Sequence, residues 1–175
     1  MSLLKGFRGL LEGFLIVVSL LLMAALAIIV ISAVAFRYSG ASFTWYDEVA
    51  SIVLAWITYY GAALAALRRA HLGFPNLVAL LPPVLRLVAL LISEGVVFVF
   101  FILLAKFGYE AIVLLQGDAL VSLPWIKVEV VMSVIPIGAA LFILAELTTL
   151  PEKVQEAWFG MPPAEIEHLT EASKS

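Results

Sequence analysis

The amino-acid sequence predicts an all-α integral membrane protein with four transmembrane helices. Of its 175 residues, 64% are hydrophobic and 13% are charged, with a mean hydropathy of +1.13, whereas soluble domains contain about 25% charged residues. Four apolar runs, each near the roughly 20 residues that cross a bilayer as a helix, are separated by polar, glycine- and proline-containing segments. Trp45, Tyr46 and Trp125 precede two of these runs, where amphipathic rings favour the water interface.

We place one membrane domain over residues 1–150 and a short tail over 151–175. The four spans within it are expected at residues 14–36, 47–67, 84–107 and 128–148. The first span contains neither charge nor proline and is longer than the apolar core of a cleavable signal peptide. It is therefore expected to be a retained anchor helix.

The second span is apolar in its middle and charged at both ends. Its run 49–67 would be roughly 28 Å long as a helix, which is close to the thickness of a bilayer core. Trp45, Asp47 and Glu48 stand at its start, and a basic cluster follows its end; this basic cluster consists of Arg68, Arg69 and His71. We interpret both ends as anchors that fix the depth of the helix.

Small residues in the second half of this span predict close helix packing. Gly61 and Ala65 are one helical turn apart, and such small-xxx-small pairs let two backbones approach. The aromatic residues Trp56, Tyr59 and Tyr60 lie just before them. We therefore expect a packing face around Gly61 and Ala65.

Residues 74–81 predict a short interfacial helix between the second and third spans. The stretch is too short to cross a membrane and lies between Pro75 and the pair Pro82 and Pro83. The expected arrangement lies in the headgroup plane, with the basic cluster facing anionic lipid.

The third run is interrupted by Glu94, Lys106 and Glu110 and leaves two alternatives open. Read from residue 83 to residue 116 it is too long for a simple perpendicular span. It either tilts and protrudes or breaks near Gly108, and Lys106 with Glu110 suits a protruding helix end.

Glu94 is an acid well inside the third run. Since a charge in hydrocarbon is costly, it should be protonated, paired or facing protein. We favour a structural contact with another helix or subunit over a role as a proton carrier, because one isolated carboxylate lacks the ligands of an ion site.

The fourth span follows Pro124 and Trp125 and carries Pro136 and Gly138 near its middle. Proline removes a backbone donor, so a kink supported by neighbouring helices is expected. Glu146 lies near the end of this span and is expected to be solvated. Pro151 is expected to stop the helix and to begin a short surface helix, and the tail beyond residue 160 is expected to be disordered.

The basic residues orient the chain. One side receives Lys5, Arg8, Arg68, Arg69, Arg86, Lys153 and Lys174; the other receives Arg37, Lys106 and Lys127. By the positive-inside rule both termini are predicted to be cytoplasmic.

The sequence shows no motif typical of a catalytic, metal or cofactor site. There is no cysteine, and His71 has no second imidazole or thiol nearby, so a metal site is not expected. The sequence contains no glycine-rich phosphate loop, no HExxH motif, no GxSxG motif and no basic nucleic-acid patch. We therefore expect no enzyme, no cofactor and no nucleic-acid partner.

Two groups of residues resemble a known family. The first is Trp45, Glu48, Trp56, Gly61, Arg68 and the run His71, Leu72, Gly73 and Phe74. The second is Ser122, Leu123, Pro124 and Trp125, followed by Ile135, Pro136, Ile137 and Gly138. In order and spacing they resemble the small (DctQ-type) membrane subunit of tripartite ATP-independent periplasmic (TRAP) transporters. Ser51 departs from the pattern, because family members often carry arginine there.

The resemblance implies a non-catalytic scaffold subunit in the bacterial inner membrane. Its implied partners are a large membrane subunit, which moves a carboxylate-bearing solute coupled to sodium, and a periplasmic solute-binding protein. The face at Gly61 and Ala65, the aromatic cluster and the kinked fourth helix would brace the large subunit. The alternative is a self-sufficient, proton-coupled four-helix exporter that uses Glu94 as its carrier.

Overall fold

The structure, a computed structural model, describes residues 2–40, 44–69 and 82–159, and this part of the chain is helical and forms no strand. Its helices are α1 (Ser2–Tyr38), α2 (Tyr46–Leu67), α3 (Pro83–Leu114), α4 (Val128–Met132) and α5 (Val134–Phe159). Four stretches are long and apolar enough to cross a membrane: α1, α2, α3, and α4 together with α5. The predicted all-helical class with four spans is confirmed.

The four long helices pack as a row. α1 packs against α2, α2 against α5, and α5 against α3, so α2 and α5 are central and α1 and α3 are outer helices. The outer helices leave large apolar side chains exposed along much of their length, for example Leu21 and Ile31 on α1 and Ile92 and Val96 on α3. In a membrane protein, such faces meet lipid or another subunit.

The core lies where α1, α2 and α5 meet. Its buried residues are Leu11, Leu15, Ala63, Ala66, Leu67, Phe142 and Ala145. Alanines bring the backbones of α2 and α5 close, which increases van der Waals contact between helices that lipid alone would not drive together. Phe142 extends the core to α3 by stacking on Phe101, with ring centroids 3.6 Å apart.

Two glycines allow close contacts between helices. A Cβ added to Gly138 of α5 would lie 2.7 Å from the Cβ of Tyr59, and one added to Gly108 of α3 would lie 2.6 Å from Cγ2 of Ile135. α3 runs unbroken through Gly108 to Leu114. Of the two alternatives for the third run, the break near Gly108 is therefore wrong, because Gly108 serves as a contact and not as a hinge.

The fourth span is interrupted, but at Ser133 and not in its middle. α4 ends at Met132 and α5 begins at Val134, which places Pro136 and Gly138 in the first turns of α5. Proline lacks an N–H and its ring conflicts with the carbonyl four residues earlier, that of Met132. The interruption therefore precedes Pro136 by about one turn.

Two helix ends differ from the sequence predictions. α1 already begins at Ser2, about three turns before residue 14, and Pro151 lies inside α5, which continues to Phe159. The expected stop at Pro151 is wrong. One lost backbone hydrogen bond is outweighed there, because Ala157 is buried and neighbouring charged residues are held in ion pairs.

Three expectations lie outside the described residues. These concern the interfacial helix at 74–81, the side chain of His71, and the tail beyond residue 160.

Candidate functional site

Charged residues gather at the end of the row where α1 begins and α2 ends, which we call the Arg68 end. Arg68 binds Glu12 of α1, with Nε and Oε1 2.8 Å apart. Arg69 binds Glu156 of α5 through both guanidinium NH groups, and Nη1 lies 2.6 Å from Oε1. These two ion pairs tie α1 and α5 to the end of α2.

Arg8 adds a third link at the Arg68 end. Its Nη1 lies 3.0 Å from Oε2 of Glu152, and its Nη2 donates to the carbonyl oxygen of Leu67 at 3.0 Å. That carbonyl belongs to the last turn of α2, whose acceptors have no partner within the helix. The guanidinium groups at this end thus contact protein carboxylates.

A buried ionic cluster joins α3 to α5 at the same end. Nζ of Lys153 lies 2.7 Å from Oε1 of Glu94 and 2.5 Å from Oε2 of Glu146, and the hydroxyl of Thr149 lies 3.1 Å from Oε2 of Glu146. Glu146 is only 2% exposed, so the expectation that it is solvated is wrong. Lys153 stands seven residues, two turns, beyond Glu146 and can reach it on the same helix face.

At the opposite end, which we call the Glu48 end, α2 holds the loop between α3 and α4. The carboxylate of Glu48 accepts from the backbone N–H of Ser122 at 2.9 Å and of Val121 at 3.3 Å, and also from the Ser122 hydroxyl. The loop is further closed by an antiparallel bridge between Ala119 and Lys127. Glu48 and the stretch from Ser122 to Trp125 belong to two separate groups of family-like residues in the sequence. The structure brings them together, because Glu48 binds Ser122.

Trp56 supports the interruption of the fourth span. Its indole N–H donates to the carbonyl oxygen of Val131 at 3.1 Å, next to the break at Ser133. The carbonyl that Pro136 leaves without its helical donor is that of Met132, one residue further along. The hydrogen bond from Trp56 is a contact from α2 beside the interruption, and it supports this part of the fourth span.

Other predicted site residues are exposed or half-buried. Trp125 is 76% exposed and Pro124 is exposed, while Trp45 and Ala65 are half-buried. A Cβ on Gly61 would meet no atom within 4 Å in the described chain. Ala63 and Ala66 are buried in the core, whereas Gly61 and Ala65 are half-buried among the described residues.

Sequence reasoning missed most of the pairing partners. Those partners are Glu12, Glu146, Glu152, Lys153 and Glu156 at the Arg68 end and Val121 and Val131 elsewhere. The spacing of Glu146 and Lys153 on one helix could have indicated their contact. The others join residues of different helices, for which sequence spacing carries no signal. Within the described part of the chain, no group of three or more His, Cys, Asp and Glu residues could hold a metal ion.

Four membrane-length helices place the chain among multi-pass membrane proteins. The family model described as tripartite ATP-independent periplasmic transporters, DctQ component, matches residues 26–156, about three quarters of the chain. The chain therefore belongs to the DctQ family, the small permease subunits of TRAP transporters, which confirms the resemblance. A comparison with curated proteins found no match. In general, members of this family work with a large membrane subunit and a periplasmic binding protein, and they are not catalytic.

Proposed function

We propose that this chain is a non-catalytic scaffold that braces the large membrane subunit of a sodium-coupled importer. The importer would take a carboxylate-bearing solute from a periplasmic binding protein, with sodium coupling in the large subunit and no cofactor in this chain. Family membership supports the subunit type. The observation that carries the scaffold role is the pairing of Glu94 with Lys153.

This pairing argues against a transport pathway through the chain. A carrier carboxylate must exchange its proton or ligand with both sides of the membrane. Glu94 is 8% exposed and contacts the ammonium of Lys153, which also binds Glu146. The acid that could have served a self-sufficient exporter thus joins α3 to α5.

Reconstitution separates the scaffold from the exporter. We expect the purified chain in liposomes to give no proton-coupled flux, and uptake to require the large subunit, the loaded binding protein and an inward sodium gradient. The solute for this assay is the one that mass spectrometry identifies after denaturing the purified binding protein. Flux from the chain alone that is lost in Glu94→Gln would establish the exporter instead.

We also propose a membrane orientation. The Arg68 end, with its cluster of basic residues, would be cytoplasmic in the bacterial inner membrane, and the Glu48 end would be periplasmic. The segment 74–81 would lie in the cytoplasmic headgroup plane. A periplasmic reporter fused after Ser175 should be inactive, and an active fusion would reverse the orientation.

The face at Gly61 and Ala65 is the proposed bracing contact on α2. Leucine at both positions would hold a partner helix away, so we expect Gly61→Leu with Ala65→Leu to reduce the amount of large subunit that co-purifies with the tagged chain. The matched control, Gly61→Ala with Ala65→Ser, keeps the face small and should retain the complex. An unchanged yield with the leucine variant would count against this face, and a wild-type chain that retrieves no large subunit would count against bracing altogether.

A further inference from the structure

Two charged residues are exposed on the apolar outer face of α3. The side chains of Lys106 and Glu110 are 64% and 55% exposed. Large exposed apolar residues surround them on the same helix: Leu103, Phe107, Val113 and Leu114. This pair is chemically out of place on a surface that otherwise suits lipid.

The pair lies in the last third of α3, which is continuous. α3 continues to Leu114, so Lys106 lies about 12 Å and Glu110 about 6 Å before the last residue of the helix. Between them, Gly108 is buried against Ile135 at the start of α5. The charges therefore lie beside the packed part of the row.

The depth of the pair follows from two contacts with α5. Gly108 meets Ile135, and Gly138, three residues further along α5, meets Tyr59 of α2. Three residues correspond to about 4.5 Å along a helix, so Lys106 lies within about one turn of the level of Tyr59. α2 extends from Tyr46 to Leu67, which places Lys106 near the middle of its length.

Lys106 and Glu110 satisfy each other poorly. Their nearest charged atoms are 3.8 Å apart, beyond hydrogen-bonding distance, and lysine preceding glutamate by four residues is the less favourable order. Within the described chain, the other contact of the Lys106 ammonium is the ring of Phe107, at 5.6 Å. Both contacts are with residues of α3 itself.

Membrane proteins turn such charges toward other protein groups, because hydrocarbon offers them no hydrogen bonds. The same chain illustrates this at the Arg68 end, where Glu94 and Glu146 are buried around Lys153. Among residues 2–40, 44–69 and 82–159, Lys106 and Glu110 have no equivalent partners, so this face can offer both charges to another molecule.

We propose that the outer face of α3 around Lys106 and Glu110 is a second docking site for the large membrane subunit. The occupant is a membrane helix that presents, at the same depth, an acidic or carbonyl acceptor for Lys106 and a basic or hydroxyl donor for Glu110. The inference rests on the proposed scaffold function, and it adds a charged contact on the opposite edge of the row from α1.

Removal of both charges tests the site. We expect Lys106→Leu with Glu110→Leu to co-purify about tenfold less large subunit, as a lost charge-assisted contact would produce, while the tagged chain keeps its own level and melting temperature. The matched control is Ile92→Leu with Val96→Leu, which has the same spacing on the same helix and should retrieve the wild-type amount. A leucine pair that retrieves the wild-type amount would show that this face meets lipid, and it would overturn the site.

Exchange of the charges provides a second test that does not add apolar surface. Lys106→Glu with Glu110→Lys keeps the net charge and places the pair in its more favourable order within α3. The partner's acceptor and donor would then each face a charge of the wrong sign. We therefore expect this variant also to co-purify less large subunit. Wild-type co-purification by the exchanged pair would overturn the proposal. The wild-type chain serves as the separate test of bracing, since its failure to retrieve the large subunit would refute the scaffold function itself.

Discussion

The ammonium of Lys153 lies 2.7 Å from the carboxylate of Glu94, 59 positions earlier in the chain. This contact joins the last turns of α5 to the outer helix α3, and it explains why α5 continues past Pro151. We expect Lys153→Met to destabilise the chain by about 3–5 kcal/mol, because it removes an ammonium group that contacts two buried carboxylates. The melting temperature of the purified chain in detergent should fall by about 10 °C.

The control for this prediction is Lys127→Met. Lys127 is exposed in the loop before α4, so its side chain should contribute within about 0.5 kcal/mol. Equal melting temperatures for the Lys153 variant and wild type would mean that the cluster does not support the fold.

The contact of Gly138 with Tyr59 predicts that no side chain larger than that of glycine fits at position 138 between α2 and α5. Alanine at position 138 would place its Cβ 2.7 Å from that of Tyr59, so α2 and α5 would have to separate. We expect Gly138→Ala to cost about 1–3 kcal/mol of unfolding free energy, measured by thermal unfolding of the chain alone. Gly61→Ala is the matched control, since its Cβ meets no atom within 4 Å and alanine favours a helix over glycine by about 1 kcal/mol.

The hydrogen bond from Trp56 to Val131 predicts a specific cost for losing one N–H group. Trp56→Phe keeps an aromatic ring but leaves the carbonyl near the break without this donor, so we expect a loss of about 0.5–1.5 kcal/mol. Trp125→Phe should be neutral, because Trp125 is 76% exposed. Similar melting temperatures for both variants would show that the indole does not stabilise the interruption.

The hydrogen bonds between Glu48 and the loop that follows α3 predict that this loop is protected from hydrogen exchange. In Glu48→Ala the backbone N–H groups of Val121 and Ser122 lose their acceptor, so their hydrogen exchange should accelerate while the centres of α2 and α5 stay protected. Asp47→Ala is the neighbouring control, because consecutive helical residues point in different directions. Unchanged hydrogen exchange in the Glu48 variant would mean that Glu48 does not hold this loop.

Some features of this fold could be predicted because they depend only on residues that are close together in the sequence. Apolar runs of membrane length specify spanning helices, since every backbone group must find its partner within the segment. Thus α2, expected at 47–67, is found at Tyr46–Leu67. The residues with family-specific spacing, from Trp45 to Gly138, also identified the subunit type, which the family comparison confirms.

Other features depended on partners that are distant in the chain. Local rules predicted that the helix stops at Pro151 and that Glu146 is solvated, and both predictions are wrong. The ion pairs around Lys153 outweigh the one backbone hydrogen bond that Pro151 removes. They also offset the cost of burying the Glu146 carboxylate. Gly108 reads locally as a hinge, but the approach of Ile135 makes it a contact.

The sequence by itself therefore determined the class of protein, the number of spans and the family, because hydrophobic length and residue spacing are local quantities. Only the tertiary structure decided which charges are paired. It places Glu94, an acid well inside the third apolar run, in the cluster at the Arg68 end, and it leaves Lys106 and Glu110 exposed on α3, with Lys106 near the level of Tyr59 of α2. The depth of a charge depends on how the helices are aligned with one another, and that alignment is set by contacts such as Gly108 with Ile135 and Gly138 with Tyr59.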